Sequence, residues 1–337
     1  MTTPANLITD VAGLAVGNAE DLRAATGVTA VVFDEAATAS IAIHGGAPGV
    51  RDTALLEPEM TVERVDALVL SGGSVYGLDA MGGTLALLRE RNRGFAIGDM
   101  RAPIAPGAIL FDLLNGGDKN WGRMPPYWEL GYQAAENASR LFRLGSVGAG
   151  LGANTANLKG GLGSASATTS NGYRVGALVA VNSLGQATIG DSPHFWAAPF
   201  ERGQEFGGLG WPKATPFSAL ELRLQTDRLE NTTIAIVATD APLTKTQAKR
   251  LAVQAHDGMA HALRPAHSEL DGDIVFAAST ARNARPPQFR DLAEIGMIAA
   301  DTLARAIARG VFEATALSVD GAFPTWRDLF ATQQGLG

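Results

Sequence analysis

Apolar residues recur along the chain in short β-branched runs that stop at glycine or at a polar turn. Residues 27–33 (GVTAVVF), 39–45 (ASIAIHG), 66–73 (DALVLSGG), 107–113 (GAILFDL), 174–182 (RVGALVAVN), 232–240 (TTIAIVATD) and 273–280 (DIVFAAST) read as strands. Several are apolar at nearly every position, the pattern of a strand covered on both faces. A different period governs residues 243–264, where Leu251, Ala255, Met259 and Ala262 fall at helical spacing behind Thr244 and Gln247, a capping box, and the pattern ends at Pro265. Leu292, Ile295, Ala299, Thr302 and Ala306 mark another helix after the RPP at 285–287, and residues 75–91 and 129–143 read as two more. Strands inside and helices outside predict an α/β layered domain. Residues 191–231, rich in Pro, Gly and aromatics, interrupt that order, and an irregular stretch of such length inside a compact domain is usually functional or disordered.

Composition removes several function classes. With 46% hydrophobic and 18% charged residues, the 337-residue chain suits one large domain, or two packed closely, with a substantial core. A net charge of −7 without a basic run makes nucleic acid a poor partner. The absence of cysteine leaves oxygen or nitrogen as the nucleophile of any covalent chemistry. The N-terminus lacks the pattern of a signal peptide, and no apolar run reaches the roughly 18 residues of a membrane span, so a cytoplasmic protein is expected.

Candidate sites each carry a plain reading beside a chemical one. Gly148, Gly150 and Ala153 form a GxGxxA pattern, but a dinucleotide fingerprint needs a helix behind it, and Asn154, Thr155, Asn157, Gly160 and Gly161 argue against one. His44, His194, His256, His261 and His267 lack zinc-type spacing, which leaves structural or surface roles and no expected metal. Asp271 and Asp273, around Gly272, either bind their own backbone in a turn or point together at a strand mouth to orient a hydroxyl or ammonium. The turn at Gly72 and Gly73 either packs tightly or offers N–H groups to an anion, with Tyr76 nearby.

Asn231, Thr232 and Thr233 open a strand directly after a charged, turn-like run. A mid-chain threonine has no base of its own. Were the bond before Thr232 cut, the freed α-amino group, with a pKa of roughly 7.7 to 8.0, would lie beside the hydroxyl and could take its proton.

Six segments then resemble, in order and over most of the chain, the L-aminopeptidase/D-esterase (DmpA-like) family, which includes β-peptidyl aminopeptidases and nylon-oligomer hydrolases. They are residues 44–59 (HGGAPGVRDTALLEPE), 62–80, 145–166, 176–182, the Asn231–Thr232 junction and 271–277 (DGDIVFA). The resemblance implies a single domain with a four-layer αββα sandwich, cut by its own chemistry into an α fragment, 1–231, and a β fragment, 232–337. Residues 191–231 would then be the segment that reaches the active site before the cut. It also implies Thr232 as nucleophile, Asn182 as oxyanion donor, Tyr76 as a site aromatic, and Asp271 and Asp273 as the pair that orients the nucleophile. Gly72, Gly73 and Asn157 are expected to line the site. Many relatives carry a lysine where this chain has Asn157, and Lys159, in the separate KGG element, does not inherit that role. The paired aspartates and the threonine are closer to the nylon-oligomer hydrolases than to the serine-type aminopeptidases.

The expected activity is hydrolysis of short peptides, amino-acid amides or linear 6-aminohexanoate oligomers, without cofactor, by a homo-oligomer resembling a tetramer of αβ units. Two alternatives are a self-cleaving acyltransferase of the arginine-biosynthesis type and a nucleotide-binding protein using the Gly-rich segment.

Overall fold

A computed structural model describes residues 4–222 and 231–330. Its strands are β1 Leu14–Asp21, β2 Thr26–Ile43, β3 Val50–Arg51, β4 Arg64–Ser71, β5 Phe95–Ile97, β6 Met100–Ala102, β7 Gly107–Ile109, β8 Gly161–Thr168, β9 Arg174–Val181, β10 Ile234–Thr239 and β11 Ile274–Ser279. The helices are α1 Ala80–Glu90, α2 Tyr127–Glu136, α3 Lys245–Ala255, α4 Asp257–Ala262, α5 Phe289–Phe312 and α6 Trp326–Phe330.

The 18-residue β2 joins two sheet regions. Its first part pairs antiparallel with β1 and with β4, Val28 opposite Ser71. Between Val32 and Ala37 the register shifts, where Asp34 and Glu35 stand exposed. Beyond that irregularity β2 pairs with β11, Ile43 opposite Ile274. Strand order then runs β2-β11-β10-β9-β8, with β10 and β11 parallel, so β10 and β11 lie between β2 and β9. The small sheet β5-β6 stands apart.

Among the described residues, three large cores separate the layers. Val16, Phe33, Leu68 and Leu70 meet Leu178, Ile236 and Phe276 between the two sheet regions. On one outer side Val179, Val237 and Val275 pack under Leu251, Met259, Leu303 and Ile307 of α3, α4 and α5. On the other, Val28, Ala30 and Val69 pack under Met81, Leu87, Tyr127 and Leu130 of α1 and α2. The alternation of inward and outward side chains along β9, β10 and β11 feeds both neighbouring cores, which explains their near-continuous apolar character. The result is the αββα arrangement.

Some elements differ from the sequence reading. Residues 27–33 and 39–43 belong to one strand rather than two, and His44 and Gly45 follow its end. The helix expected over 243–264 is two, α3 and α4, divided at His256; the capping box is present, Gln247 N donating to Thr244 Oγ1 at 3.2 Å. The Gly148–Gly150 turn is a short 3₁₀ segment followed by β8 rather than by a helix, so the geometry of a dinucleotide fingerprint is absent there. β8 is built from small residues because α5 lies flush on it. A Cβ at Gly163 would stand 1.8 Å from the Ala306 carbonyl.

Of the long segment 191–231, residues 191–222 carry only short 3₁₀ turns and are pinned by side chains. Phe195 and Phe206 enter the core beside Trp326, whose Nε1 donates to Pro193 O, and Glu205 forms a buried ion pair with Arg305 at 2.6 Å. Residues 223–230 lie outside the described residues. No described helix is long and apolar enough to cross a membrane.

Candidate active site

Thr232 lies just ahead of β10 and is buried. Its hydroxyl donates to the carbonyl oxygen of Asn231 at 2.5 Å, and Gly272 N donates to the same oxygen at 3.0 Å. The Asn231 carbonyl oxygen thus accepts from a backbone N–H and from the neighbouring hydroxyl at once. Because Asn231 and Asp271 bridge in parallel register, extending the β10-β11 pairing, this contact follows from the sheet itself.

Asn182, at the end of β9, holds Thr232 from the other side. Its main-chain carbonyl accepts from Thr232 N at 2.7 Å. Its side-chain amide is fixed in orientation: Oδ1 accepts from Asn154 N at 2.9 Å, and Nδ2 donates to Phe111 O at 3.0 Å. An amide nitrogen carries two hydrogens, so one remains for another acceptor.

The two aspartates are buried. Asp273 accepts from Thr233 N through Oδ1 at 3.2 Å and from His267 N and Nδ1 through Oδ2 at 2.8 and 2.9 Å. Asp271 accepts from Leu184 N and from Ser268 Oγ, each at 3.2 Å. Asp273 thus grips the backbone next to Thr232 and Asp271 that of Leu184, and the Thr232 hydroxyl donates to Asn231 O instead. Burial, reinforced by the negative charge of Asp273, pushes the Asp271 carboxyl up to about 7.

The HGGAPG stretch runs alongside. His44 N and Gly45 N donate to Asp273 O at 3.1 and 3.2 Å, and Ala47 N donates to Asp271 O at 2.9 Å. A Cβ at Gly45 would meet Asp273 N at 2.3 Å, so this approach requires glycine. A cleft of about 610 Å³ opens over Thr232, lined by Ala47, Pro48 and Gly49 with Ser74, Val75 and Leu78, Ile109, Phe111, Asn231 and Leu270.

Several residues picked from the sequence stand outside that lining. Gly72 and Gly73 lie behind it: Gly72 N donates to Gly27 O, Gly73 N to Asp112 Oδ1, and Ser74 and Val75 face the cleft in their place. Tyr76 is half-exposed and packs edge-on against Trp121. Asn157 donates to Thr188 Oγ1 at 3.2 Å, away from the lining residues.

Gly272 and Lys159 were not assigned roles from the sequence. The Lys159 ammonium is buried and donates to the carbonyls of Gly150, Ala153 and Gly160, at 3.1, 2.5 and 2.9 Å. It thereby props the loop whose Asn154 N–H orients Asn182. Burial lowers its pKa to about 7, opposed by the charge of Asp112. The signal was available: Lys159 is the lone charge in the small-residue stretch 145–166.

The model of peptidase family S58 matches residues 6–322. The chain belongs to peptidase family S58. An uncharacterised aminopeptidase of Mycobacterium tuberculosis is 40% identical, the alignment covering 96% of this chain and 98% of that one. The 6-aminohexanoate-oligomer endohydrolase of Kocuria sp. is 26% identical over 80% of this chain and 74% of that enzyme. Among solved structures, a β-aminopeptidase of Burkholderia sp. superposes with a TM-score of 0.73 at 21% identity, covering 100% of this chain and 96% of that one. The L-aminopeptidase D-Ala-esterase/amidase of Ochrobactrum anthropi, a variant of the Ntn-hydrolase fold, gives 0.71 at 21% identity, covering 99% and 96%. This S58 member is thus an amidohydrolase on an Ntn-hydrolase-type fold.

Proposed function

We propose that this S58 protein cuts itself between Asn231 and Thr232 and then hydrolyses short amides with Thr232 as its N-terminal nucleophile. The observation that carries the reading is the pair of hydrogen bonds on the Asn231 carbonyl, from the Thr232 hydroxyl and from Gly272 N, at the edge of the cleft. In the first reaction Thr232 Oγ adds to the Asn231 carbonyl carbon. The C–N bond then breaks, a proton passes to the departing nitrogen, and water hydrolyses the resulting ester. The products are the Asn231 carboxylate and a free Thr232 amine.

That amine is the base of the second reaction. It takes the proton of its own hydroxyl as Oγ attacks the substrate carbonyl. Departure of Asn231 frees Gly272 N–H for the substrate oxygen, and the second Asn182 Nδ2 hydrogen supplies another donor. The leaving amine is protonated, the acyl group stays on Thr232 as an ester, and water releases it.

Because Asp271 and Asp273 are spent on backbone, Ser268 and His267, substrate recognition falls to the cleft. Pro48, Val75, Leu78, Ile109, Phe111 and Leu270 give it a mainly apolar wall, which fits short peptides, amino-acid amides or linear 6-aminohexanoate oligomers with apolar acyl portions. The test is denaturing mass spectrometry with amide-hydrolysis assays. Thr232→Ala should stay whole and inactive, and Thr232→Ser should retain part of both reactions. A Thr232→Ala chain with normal amide hydrolysis would sink the assignment.

A further inference from the structure

Three histidines that lack metal-type spacing in the sequence are brought together by the fold. His44 follows β2, His256 divides α3 from α4, and His267 lies in the loop leading to the Asp271–Asp273 segment. One ring nitrogen from each lies within 4.8 Å of the others. None of the three lines the cleft.

Two of the rings are prepared by their hydrogen bonds. His256 is buried, with Nε2 3.0 Å from Ala42 O. A carbonyl only accepts, so Nε2 carries the proton and Nδ1 presents a lone pair; this Nδ1 is buried without a hydrogen-bond partner among the described residues. His267 directs Nδ1 to Asp273 Oδ2 at 2.9 Å, which leaves Nε2 as its remaining ring nitrogen. A carboxylate behind an imidazole in this way fixes its tautomer and makes it a better ligand.

His44 is the adjustable member. It stacks on His256 with ring centroids 3.9 Å apart and planes 17° apart. An ion lies near the plane of each imidazole that binds it, so the stacked pair must open before both can share one. The His44 ring is exposed and, among the described residues, held by no side-chain hydrogen bond, so it can turn. Closing to metal–nitrogen distances of about 2.0 to 2.1 Å then gathers three ring nitrogens around a tetrahedral ion with one position left for water.

We propose that His44, His256 and His267 bind a divalent transition ion of the zinc class, which clamps the Asp271–Asp273 segment to β2 and to the α3–α4 junction. The ion acts as a brace behind the nucleophile and takes no part in bond cleavage. Imidazole ligands favour such an ion over magnesium or calcium, which prefer oxygen.

The test uses tag-free, chelator-treated protein titrated with Zn²⁺ by calorimetry and with Co²⁺ by visible absorption. The expected result is one saturable ion per chain, a rise in Tm with Zn²⁺, and the absorption of tetrahedral Co²⁺. His44→Gln, at an exposed ring, should fold yet bind more than about tenfold more weakly. His194→Gln, whose ring pairs with Gly210 O outside the cluster, should bind as wild type. Thr232→Ala should also bind as wild type, which separates this site from any ion held by the nucleophile's amine. Absence of one-to-one binding in the wild type, undiminished affinity in His44→Gln, or loss of binding in Thr232→Ala overturns the proposal.

Discussion

Gly272→Ala places one methyl group at the point where cleavage geometry is most constrained. A Cβ there would lie 2.7 Å from Thr232 Oγ1, 2.9 Å from Thr232 Cγ2 and 2.7 Å from Ala47 O. Relief to an ordinary contact of about 3.4 Å or more requires movement of roughly 0.7 Å. The backbone on both sides resists: Gly272 N is bound to Asn231 O, Thr232 N to Asn182 O, and Ala47 N to Asp271 O. Moving the Thr232 side chain instead carries Oγ1 off the carbonyl it would attack. A misplacement of about 1 Å costs on the order of 10²-fold in rate. If the segment retreats and the Gly272 N–H is lost as well, a further 10²- to 10³-fold is expected of an oxyanion donor. Self-cleavage should therefore slow by about 10² to 10⁵, roughly 3 to 7 kcal/mol in activation free energy. Overpacking should cost global stability only about 1 to 3 kcal/mol. The assay is a time course of intact mass under denaturing conditions, with circular dichroism and Tm confirming the fold. A folded Gly272→Ala chain that matures at the wild-type rate would refute the geometry.

Stability should depend on pH through Asp271. An acid whose folded pKa is raised favours folding fully below its unfolded value of about 3.9 and loses that benefit as pH rises through the folded value, here about 7. Wild type should thus lose stability over that window relative to Asp271→Asn, and parallel denaturation midpoints for the two from pH 4 to 8 would contradict this. On fully cut enzyme, kcat/KM should rise along an acidic limb centred between about pH 6.5 and 8.5, set by the Thr232 amine; a limb near pH 4 would implicate a carboxylate base instead. Asn157→Ala, which removes a bond to Thr188 outside the cleft, should lower kcat/KM less than about tenfold, and a larger loss would place its amide in the site.

What could be read in advance follows the range of the forces involved. Burial on two faces leaves a local signature, so the apolar strands β4, β9, β10 and β11 were legible, as was the α3 cap. β8 was not, because Gly161, Gly163 and Ser164 answer to the close approach of α5, a contact across the fold. The break at His256 was hidden within a continuous helical period. Thr232 and the DGD segment stood out as motifs and Asn182 through the family resemblance, but Gly272 on the Asn231 carbonyl depends on the pairing of β10 with β11, and Lys159, although the lone charge of its stretch, shows its contacts only once the loop is folded. The histidine cluster could not be read from spacing, since its members stand on three separate elements.

The place of β10 and β11 in the sheet decides what a severed backbone can do. A cut before Thr232 leaves both strands in the new C-terminal piece, yet each outer neighbour, β2 on one side and β9 on the other, belongs to the N-terminal piece. Six residue pairs close each seam. The two polypeptides are thereby interleaved: neither can leave without opening both seams and the cores above and below them. Breaking the chain at this bond should add a pair of termini at the cleft while leaving unfolding a single cooperative event, in which dissociation of the pieces and loss of the sheet are the same transition.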